Sequence, residues 1–256
     1  MWKLLRMIVL LGVLLAVSVS TWLTRQRSTE WRQPLWIGVW PVAISADAGI
    51  DTYINGLERD DFLALEEFFS REGERYGLRQ AAPVHVELYP ALEMAPPARD
   101  PRDGPLVTAF WSLRLRWYAW RQGGDRPVNV RVFVVYHPAA EEQALPHSVG
   151  LQKGLLGVVH AFADHRMTAQ NNIVIAHEIM HTVGATDKYD PASSMPLYPD
   201  GYAEPEREPL LPQRYAEIMA GRRALSATDA AMPSSLRLVR VGSKTAREIN
   251  WTGRSQ

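Results

Sequence analysis

The pattern of apolar and polar positions along the first half of the chain predicts alternating strands and helices. Residues 34–44 are rich in β-branched and aromatic side chains, and apolar and polar residues alternate over 83–90, so both segments are predicted strands. Between them, residues 60–76 carry apolar side chains at helical spacing beside an acidic face, and Gly77 follows as a helix terminator. The pattern therefore begins strand, helix, strand.

The second half continues the alternation. Residues 106–121 predict a helix with an aromatic stripe, which is typical of a helix packed in a core. The residues of this stripe are Phe110, Trp111, Leu113, Trp117, Tyr118 and Trp120. Residues 128–138 and 155–163 predict two more strands, and a final helix ends near Gly184. The order β-α-β-α-β-β-α predicts an α/β domain, a twisted mixed sheet packed on helices.

The N-terminal segment, residues 1–27, has a different character. An uncharged apolar run, residues 7–23, lies between basic residues and would cover roughly 25 Å as a helix. Trp2 and Trp22 could extend it toward the about 30 Å of a bilayer core. We expect a single-pass, uncleaved membrane anchor, with a cleaved signal peptide as the alternative. The body, residues 34–256, is expected to be exported to a periplasmic or extracellular space.

Composition excludes several kinds of chemistry. The chain has 256 residues, with 28 Lys plus Arg against 28 Asp plus Glu, so no net charge favours nucleic acid as a partner. It has no cysteine, which excludes disulfides and thiolate-bound zinc. Histidines and carboxylates are the remaining strong metal ligands.

One motif in the last predicted helix points to metal chemistry. His177, Glu178 and His181 form H-E-x-x-H. Histidines four positions apart lie on one face of a helix and can bind one zinc ion, while the glutamate is placed to handle the proton of a water molecule. A catalytic zinc site takes three protein ligands and keeps one position open, so a third ligand is required.

A candidate third ligand follows the motif closely. Gly184 can adopt the left-handed conformation that ends a helix, and the reversed chain would return Asp187 to the two histidines. Two histidines and one carboxylate form a known type of catalytic zinc site. The rival third ligands are Asp190, Glu204, Glu206, Glu208 and Glu217.

The string HEIMHTVGATD resembles the H-E-x-x-H-x-x-G-x-x-H pattern of the metzincin zinc peptidases, with Asp187 in place of the last histidine. Snapalysin-type metzincins also use aspartate there. GATDKYD is similar to a segment of the aspzincins, and a later glutamate ligand would instead make the site resemble that of gluzincins. The metzincin resemblance implies a zinc cofactor, a polypeptide substrate and an edge strand, residues 155–161, that pairs with extended substrate. An ordinary edge or interior strand is the alternative for these residues.

The resemblance also implies a Met-turn, a methionine that packs beneath the zinc without binding it. Met219 is the candidate, with Met195 as its rival. Ser226 and Asp229 have the spacing of a helix cap, so a helix is expected to follow Met219. Residues 236–251 are expected to close the domain with a strand-like piece and a short helix.

Together these residues predict a membrane-anchored zinc metalloendopeptidase in which Glu178 is the general base. The oxyanion partner is open, because Gly221 stands where some metzincins have tyrosine; Tyr189 and Tyr215 are candidates. The alternative is a membrane-tethered binding or scaffold protein whose zinc site is structural, closed by a fourth ligand such as His165.

The remaining sequence features are interpreted as structural. Five histidines show no ligand spacing and are expected to be hydrogen-bonded structural residues. They are His85, His137, His147, His160 and His165. Residues 191–213 hold six prolines and are expected to form a stiff loop, either a wall of the cleft or a connector.

Overall fold

The computed structural model describes residues 30–252, except 101, 125, 140–144 and 153, and in addition residues 2, 6, 7, 11 and 12. The expected membrane anchor, residues 1–27, lies outside the described residues apart from those five positions. Within the part of the chain that is described, no helix has the length and apolar character needed to span a bilayer.

The described residues form strands and helices close to those that the pattern predicts. The strands are β1 (Leu35–Ala43), β2 (Val84–Leu88), β3 (Val130–His137), β4 (Val149–Leu151), β5 (Leu156–Phe162), β6 (Ala216–Glu217), β7 (Arg223–Ala224), β8 (Ala230–Ala231) and β9 (Val239–Arg240). The α-helices are α1 (Ala48–Asn55), α2 (Leu63–Arg75), α3 (Pro105–Gly123), α4 (Thr168–Thr182) and α5 (Ser243–Glu248). Helix α1, which the pattern did not predict, begins where the Asp47 carboxylate accepts the amides of Gly49 and Ile50.

A five-stranded sheet organises the domain, in the order β2-β1-β3-β5-β4. Strands β2, β1, β3 and β5 are parallel, and β4 runs antiparallel to β5. The predicted mixed sheet on helices is therefore confirmed. The predicted edge strand is wrong, because β5 is internal and β4 occupies the edge. A turn after Leu151 returns the chain so that Leu151 pairs with Leu156.

Side chains on both faces of the sheet are buried. On β3, Val132 and Val134 face a core shared with α1, α2 and α4, whereas Phe133 and Val135 face a second core under α3. A parallel sheet covered on both faces favours β-branched residues at consecutive positions, as this strand shows. The sheet thus separates α4, which carries the H-E-x-x-H motif, from α3.

The prediction that the aromatic stripe of α3 lies in the core is only partly right. Trp111 and Tyr118 are buried with Leu115 under the second core. The other members of the stripe, Phe110, Leu113, Trp117 and Trp120, are exposed. The helix is apolar on two opposite faces, and the sheet covers one of them.

The helix expected after Met219 is also wrong. Residues 223–231 form a short hairpin of β7 and β8, and the amides of Leu225 and Ser226 donate to the Asp229 carbonyl. The Ser226 hydroxyl accepts the Thr228 amide within this turn, because serine caps turns as well as helices. The strand-like piece and short helix expected over 236–251 are confirmed as β9 and α5.

Candidate metal centre

Helix α4 places the H-E-x-x-H side chains at the edge of the first core. Its apolar residues Ile175 and Ile179 are fully buried against the sheet. His177 and His181, one turn apart, are half-buried with ring centroids 4.7 Å from each other. The helix is therefore fixed by its apolar side while both imidazoles remain accessible from one direction.

A glycine ends the helix and reverses the chain, as the sequence predicts. Gly184 has φ of +107°, and the Ala185 amide donates back to the Met180 carbonyl at 3.0 Å. A Cβ on Gly184 would also lie 2.7 Å from Nε2 of Gln152, so that side chain would have to move. The reversal returns the chain along α4 and carries Asp187 to the two histidines.

Three ligand-type atoms converge at this point. The Nε2 atoms of His177 and His181 lie 3.1 Å apart, and Oδ1 of Asp187 lies 3.1 Å from the first and 3.2 Å from the second. Among the described residues, these three form the one group of three or more His, Asp or Glu side chains that could hold a metal ion. The structure thus brings together the three residues that the sequence predicts as metal ligands.

The hydrogen bonds of the two Nδ1 atoms limit how the two Nε2 atoms and the Asp187 oxygen can interact. Nδ1 of His177 lies 2.9 Å from the Ile218 carbonyl, and Nδ1 of His181 lies 2.9 Å from the Ala185 carbonyl. A carbonyl oxygen only accepts, so both Nδ1 atoms carry hydrogen, and each Nε2 atom presents a lone pair when its ring is neutral. In the neutral rings, two lone pairs and a carboxylate oxygen then face one another, an arrangement that either a proton on one ring or a metal ion stabilises. Two imidazole nitrogens and one carboxylate oxygen fit zinc.

The charges at this site are strongly coupled. Although burial lowers it, the Asp187 hydrogen bond and the Glu178 charge raise the pKa of His177 to about 9. Burial raises the pKa of Asp187, but hydrogen bonds from both imidazoles outweigh it and hold that pKa well below its usual range. The cluster therefore retains a negative carboxylate and attracts positive charge.

Glu178 is buried beside the cluster and is not fully hydrogen-bonded. It is 5% exposed, and its Oε2 has no hydrogen-bond partner. Burial raises the pKa of this carboxyl, while the His177 and His181 charges oppose the shift. A buried carboxylate with an unsatisfied oxygen and a raised pKa can take up a proton at that oxygen.

The turn that contains Met219 contacts the cluster through its main chain. Met219 is fully buried and directly follows Ile218, whose carbonyl orients His177. The carboxylate of Glu217 accepts the amides of Met219 and Ala220 and so holds the turn. Met195, the rival candidate, is partly exposed in the loop after Asp187. Between the two, Met219 is the methionine whose neighbour contacts a ligand.

The sequence interpretation missed a buried ion pair behind Asp187. Lys188 is 4% exposed, and its Nζ donates to the Thr186 carbonyl at 2.6 Å and to Oε2 of Glu248 at 2.7 Å. Glu248 also accepts the Thr186 amide. These bonds attach Thr186 and Lys188, the two sequence neighbours of Asp187, to α5. The only signal in the sequence is a lysine next to the candidate ligand, because its partner is 60 residues away.

Strand β4, also missed, passes close to the motif. A Cβ on Gly150 would lie 2.3 Å from the Glu178 carbonyl oxygen and 2.6 Å from Cβ of His181. Only glycine allows the strand to come this near to α4. The Gly150 backbone is also close enough to the Glu178 carboxyl to lower its pKa, which opposes the effect of burial.

The other histidines do not join the cluster. His137 and His160 form a pair, with Nε2 of the first 2.8 Å from Nδ1 of the second. Burial lowers the pKa of both, and the pKa of His160 falls to about 4. The ring of His165 packs on that of Tyr53 at 4.8 Å. These three therefore have structural contacts, as expected.

Three of the rival acidic residues make other contacts. Asp190 accepts the amides of Ala192 and Ser193 in a tight turn. Glu217 holds the Met219 turn, and Glu204 pairs with Arg214. None of the five rivals belongs to the metal-type group found among the described residues, in which Asp187 is the single carboxylate.

Comparisons with known proteins add little to this geometry. No protein-family model matches the chain, and no curated protein matches its sequence. Wild-type OgpA from Akkermansia muciniphila is a similar solved structure, with 12% identity, a TM-score of 0.39 and coverage of 83% of this chain and 58% of that chain. A structure described as a chaperone-substrate complex has 10% identity and a TM-score of 0.40, covering 85% of this chain and 33% of that chain.

A catalytically inactive OgpA in complex with an O-glycopeptide substrate, glycodrosocin, gives a TM-score of 0.35 at 12% identity and covers 84% of this chain. This chain spans 58% of its length. Likenesses this weak support no conclusion on function. The interpretation below therefore depends on the residues of this chain.

Proposed function

We propose that this chain is a zinc-dependent, metzincin-like metallopeptidase in which His177, His181 and Asp187 hold the ion and Glu178 is the general base. The observation that carries the proposal is the convergence of two Nε2 atoms and one carboxylate oxygen within 3.2 Å, with both Nδ1 atoms hydrogen-bonded to main-chain carbonyls. When bound, zinc supplies a Lewis acid that polarises a carbonyl and acidifies water.

The chain's own groups account for the proton transfers. Glu178 takes the proton of the attacking water at its unpartnered Oε2 and delivers it to the amine that leaves. Its raised pKa brings it nearer to neutral pH, which suits both steps. Tyr189 is our candidate for stabilising the developing oxyanion, because its hydroxyl lies near enough to Asp187 and Glu178 to feel their charges. Burial and these charges raise its pKa, so the hydroxyl keeps the proton that it would donate.

The position of β4 favours an extended polypeptide as substrate. Among the described strands, β4 pairs only with β5, so its other side is open to strand addition. A peptide paired there passes Glu178, because Gly150 lies against the motif helix. The loop 191–213 is our candidate for a cleft wall, since Leu197 donates to the Lys188 carbonyl beside the ligand.

The alternative, a binding or scaffold protein with a structural zinc site, needs a fourth protein ligand. Its candidate, His165, is packed on Tyr53. Among the described residues, the ligand-type group contains three members.

We further propose that the apolar run 7–23 anchors an exported catalytic domain, as the sequence predicts.

Replacing Glu178 by glutamine tests the proposal. In the detergent-solubilised full chain, Glu178→Gln should retain zinc by metal analysis but hydrolyse casein about 100-fold to 10,000-fold more slowly, since the general base is lost. Glu206→Gln, at an exposed carboxylate, is the control and should retain both. Undiminished turnover in Glu178→Gln would exclude the mechanism, and a wild-type protein that binds no zinc would exclude the metal centre.

A further inference from the structure

Helix α3 has an apolar face that no described part of the chain covers. Five large apolar side chains recur every three or four residues along it, and each is 57–85% exposed. These residues, here called the outer stripe, are Leu106, Phe110, Leu113, Trp117 and Trp120. The stripe lies opposite Trp111, Leu115 and Tyr118, which pack on the sheet. A continuous exposed apolar face of this size is typical of an interaction surface.

The charged residues within α3 all have one sign. Between Gly104 and Gly124 the sequence has three arginines and no acidic residue. Arg114 and Arg121 are exposed on one flank of the stripe, and Arg121 lies over the Trp117 ring at 5.5 Å. A helix that lies in a membrane interface typically carries tryptophans among aliphatic residues, with arginines beside them.

The undescribed N-terminal chain joins the domain near this helix. Glu30 lines the same surface cleft as Pro127, which belongs to the loop that follows α3. Beside that cleft, the Asn129 amide donates to the Trp36 carbonyl at 2.8 Å. The apolar run 7–23 therefore precedes an entry point at the end of α3.

Trp36 is a further exposed apolar side chain at this end of the sheet. It alternates with Leu35 and Ile37, which face the first core, so its side chain lies on the same side of the sheet as α3. It is 41% exposed.

We propose that the outer stripe of α3 docks on the surface of a bilayer containing anionic lipids. The five side chains enter the interface, and the flanking arginines contact lipid phosphates and anionic headgroups. A second copy of this chain is a poorer occupant. Two such helices packed by their stripes would place arginines against arginines with no acidic partner, which disfavours pairing.

This docking would orient the metal centre. Helix α3 covers one face of the sheet and α4 lies on the other, so a bilayer under α3 leaves the cleft directed toward solvent. An extended polypeptide could then reach β4 without crossing lipid. The inference goes beyond peptide hydrolysis and does not depend on it.

The absence of cysteine makes a site-specific test direct. Leu113→Cys places one thiol in the exposed stripe, and Ala227→Cys places one at an exposed position of the β7–β8 turn as the control. Each full-length variant is labelled with an environment-sensitive nitrobenzoxadiazole dye. It is then mixed with phosphatidylcholine vesicles, with and without phosphatidylglycerol and with brominated acyl chains as quenchers.

We expect the label at 113 to brighten severalfold with phosphatidylglycerol and to be quenched by brominated lipid, while the label at 227 responds to neither. Arg114→Gln with Arg121→Gln, added to Leu113→Cys, should reduce the dependence on phosphatidylglycerol. A label at 113 that stays as exposed to water as the label at 227 would overturn the proposal, whether or not the chain floats with the vesicles. Efficient cross-linking of two chains through position 113 would indicate a second copy instead.

Discussion

His177 and His181 are oriented by main-chain carbonyls, and this decides which ring nitrogens face the proposed metal position. The H-E-x-x-H spacing was sufficient to predict that both rings share one face of a helix. It could not predict the acceptors, because the Ile218 carbonyl that holds His177 is 41 residues away. A motif therefore reports the ligands, whereas the fold supplies the contacts that fix their tautomers.

The position of Asp187 was also predictable from local sequence, and it also depends on contacts with residues that are distant in sequence. The glycine-permitted reversal at Gly184 is local, so the sequence alone places the carboxylate near α4. What holds the loop in that position is the buried Lys188 ammonium, which bonds to Thr186 and Glu248. Lys188 thus acts as a positioning residue for Asp187.

Replacing Lys188 tests that role. Lys188→Met should weaken zinc binding about 10-fold to 100-fold, the range typical for residues that support metal ligands. Competition with a fluorescent chelator measures the affinity, and activity should return when zinc is saturating. Lys244→Met, at an exposed lysine of α5, is the control and should bind zinc as the wild type does. A loss of activity that excess zinc does not reverse would indicate a general structural role.

Strand β4 was the element that the sequence could not reveal, although it borders the site. Three residues, Val149–Leu151, are too few to show an alternation, and glycine at the centre weakens any strand signal. Its existence depends on pairing with β5 and on contact with α4. The pattern reported β5 correctly but not its position in the sheet, since strand order is a property of the whole fold.

Gly150→Ala should displace β4 from the motif helix. An added Cβ would lie 2.3 Å from the Glu178 carbonyl oxygen, so the strand must shift, at a cost of about 1–3 kcal/mol in stability. A displacement of that kind beside the general base should lower casein hydrolysis by roughly 100-fold. Gly157→Ala in β5 is the matched control, because its Cβ would meet Val132 at an ordinary 3.7 Å. Equal effects of the two variants on activity would contradict this account.

Helix α3 shows a second limit of periodicity. The spacing of its aromatic residues correctly predicted a helix, but apolar residues at helical spacing do not say what covers them. Trp111 and Trp117 are equally apolar in sequence, yet the first faces the sheet and the second faces outward. The prediction of a core stripe was only partly right, because this helix is apolar on two faces and the sheet covers one of them.

At the scale of the whole molecule, the site joins parts of the chain that are far apart in sequence. Helix α4 supplies two of the proposed ligands, the Met219 turn orients one of them, and α5 holds the loop of the third. Two fully buried carboxylates pin the C-terminal segment. Glu72 accepts the Val241 amide and Glu217 accepts the Gly242 amide. A cation bound at the centre would therefore stabilise contacts throughout the domain.

Removal of the metal should accordingly lower the stability of the entire domain. A ligand that binds only the folded state at about 100 times its Kd adds roughly 2.7 kcal/mol, so a chelator should lower the Tm by about 5–10 °C. Differential scanning fluorimetry of the detergent-solubilised chain, with and without chelator, measures the change. Asp187→Asn should abolish the chelator effect, whereas Asp190→Asn should preserve it, because Asp190 binds only its own turn. The reverse pattern would reassign the third ligand, and a wild-type Tm unaffected by chelator would show that the centre does not hold a metal tightly enough to support the fold.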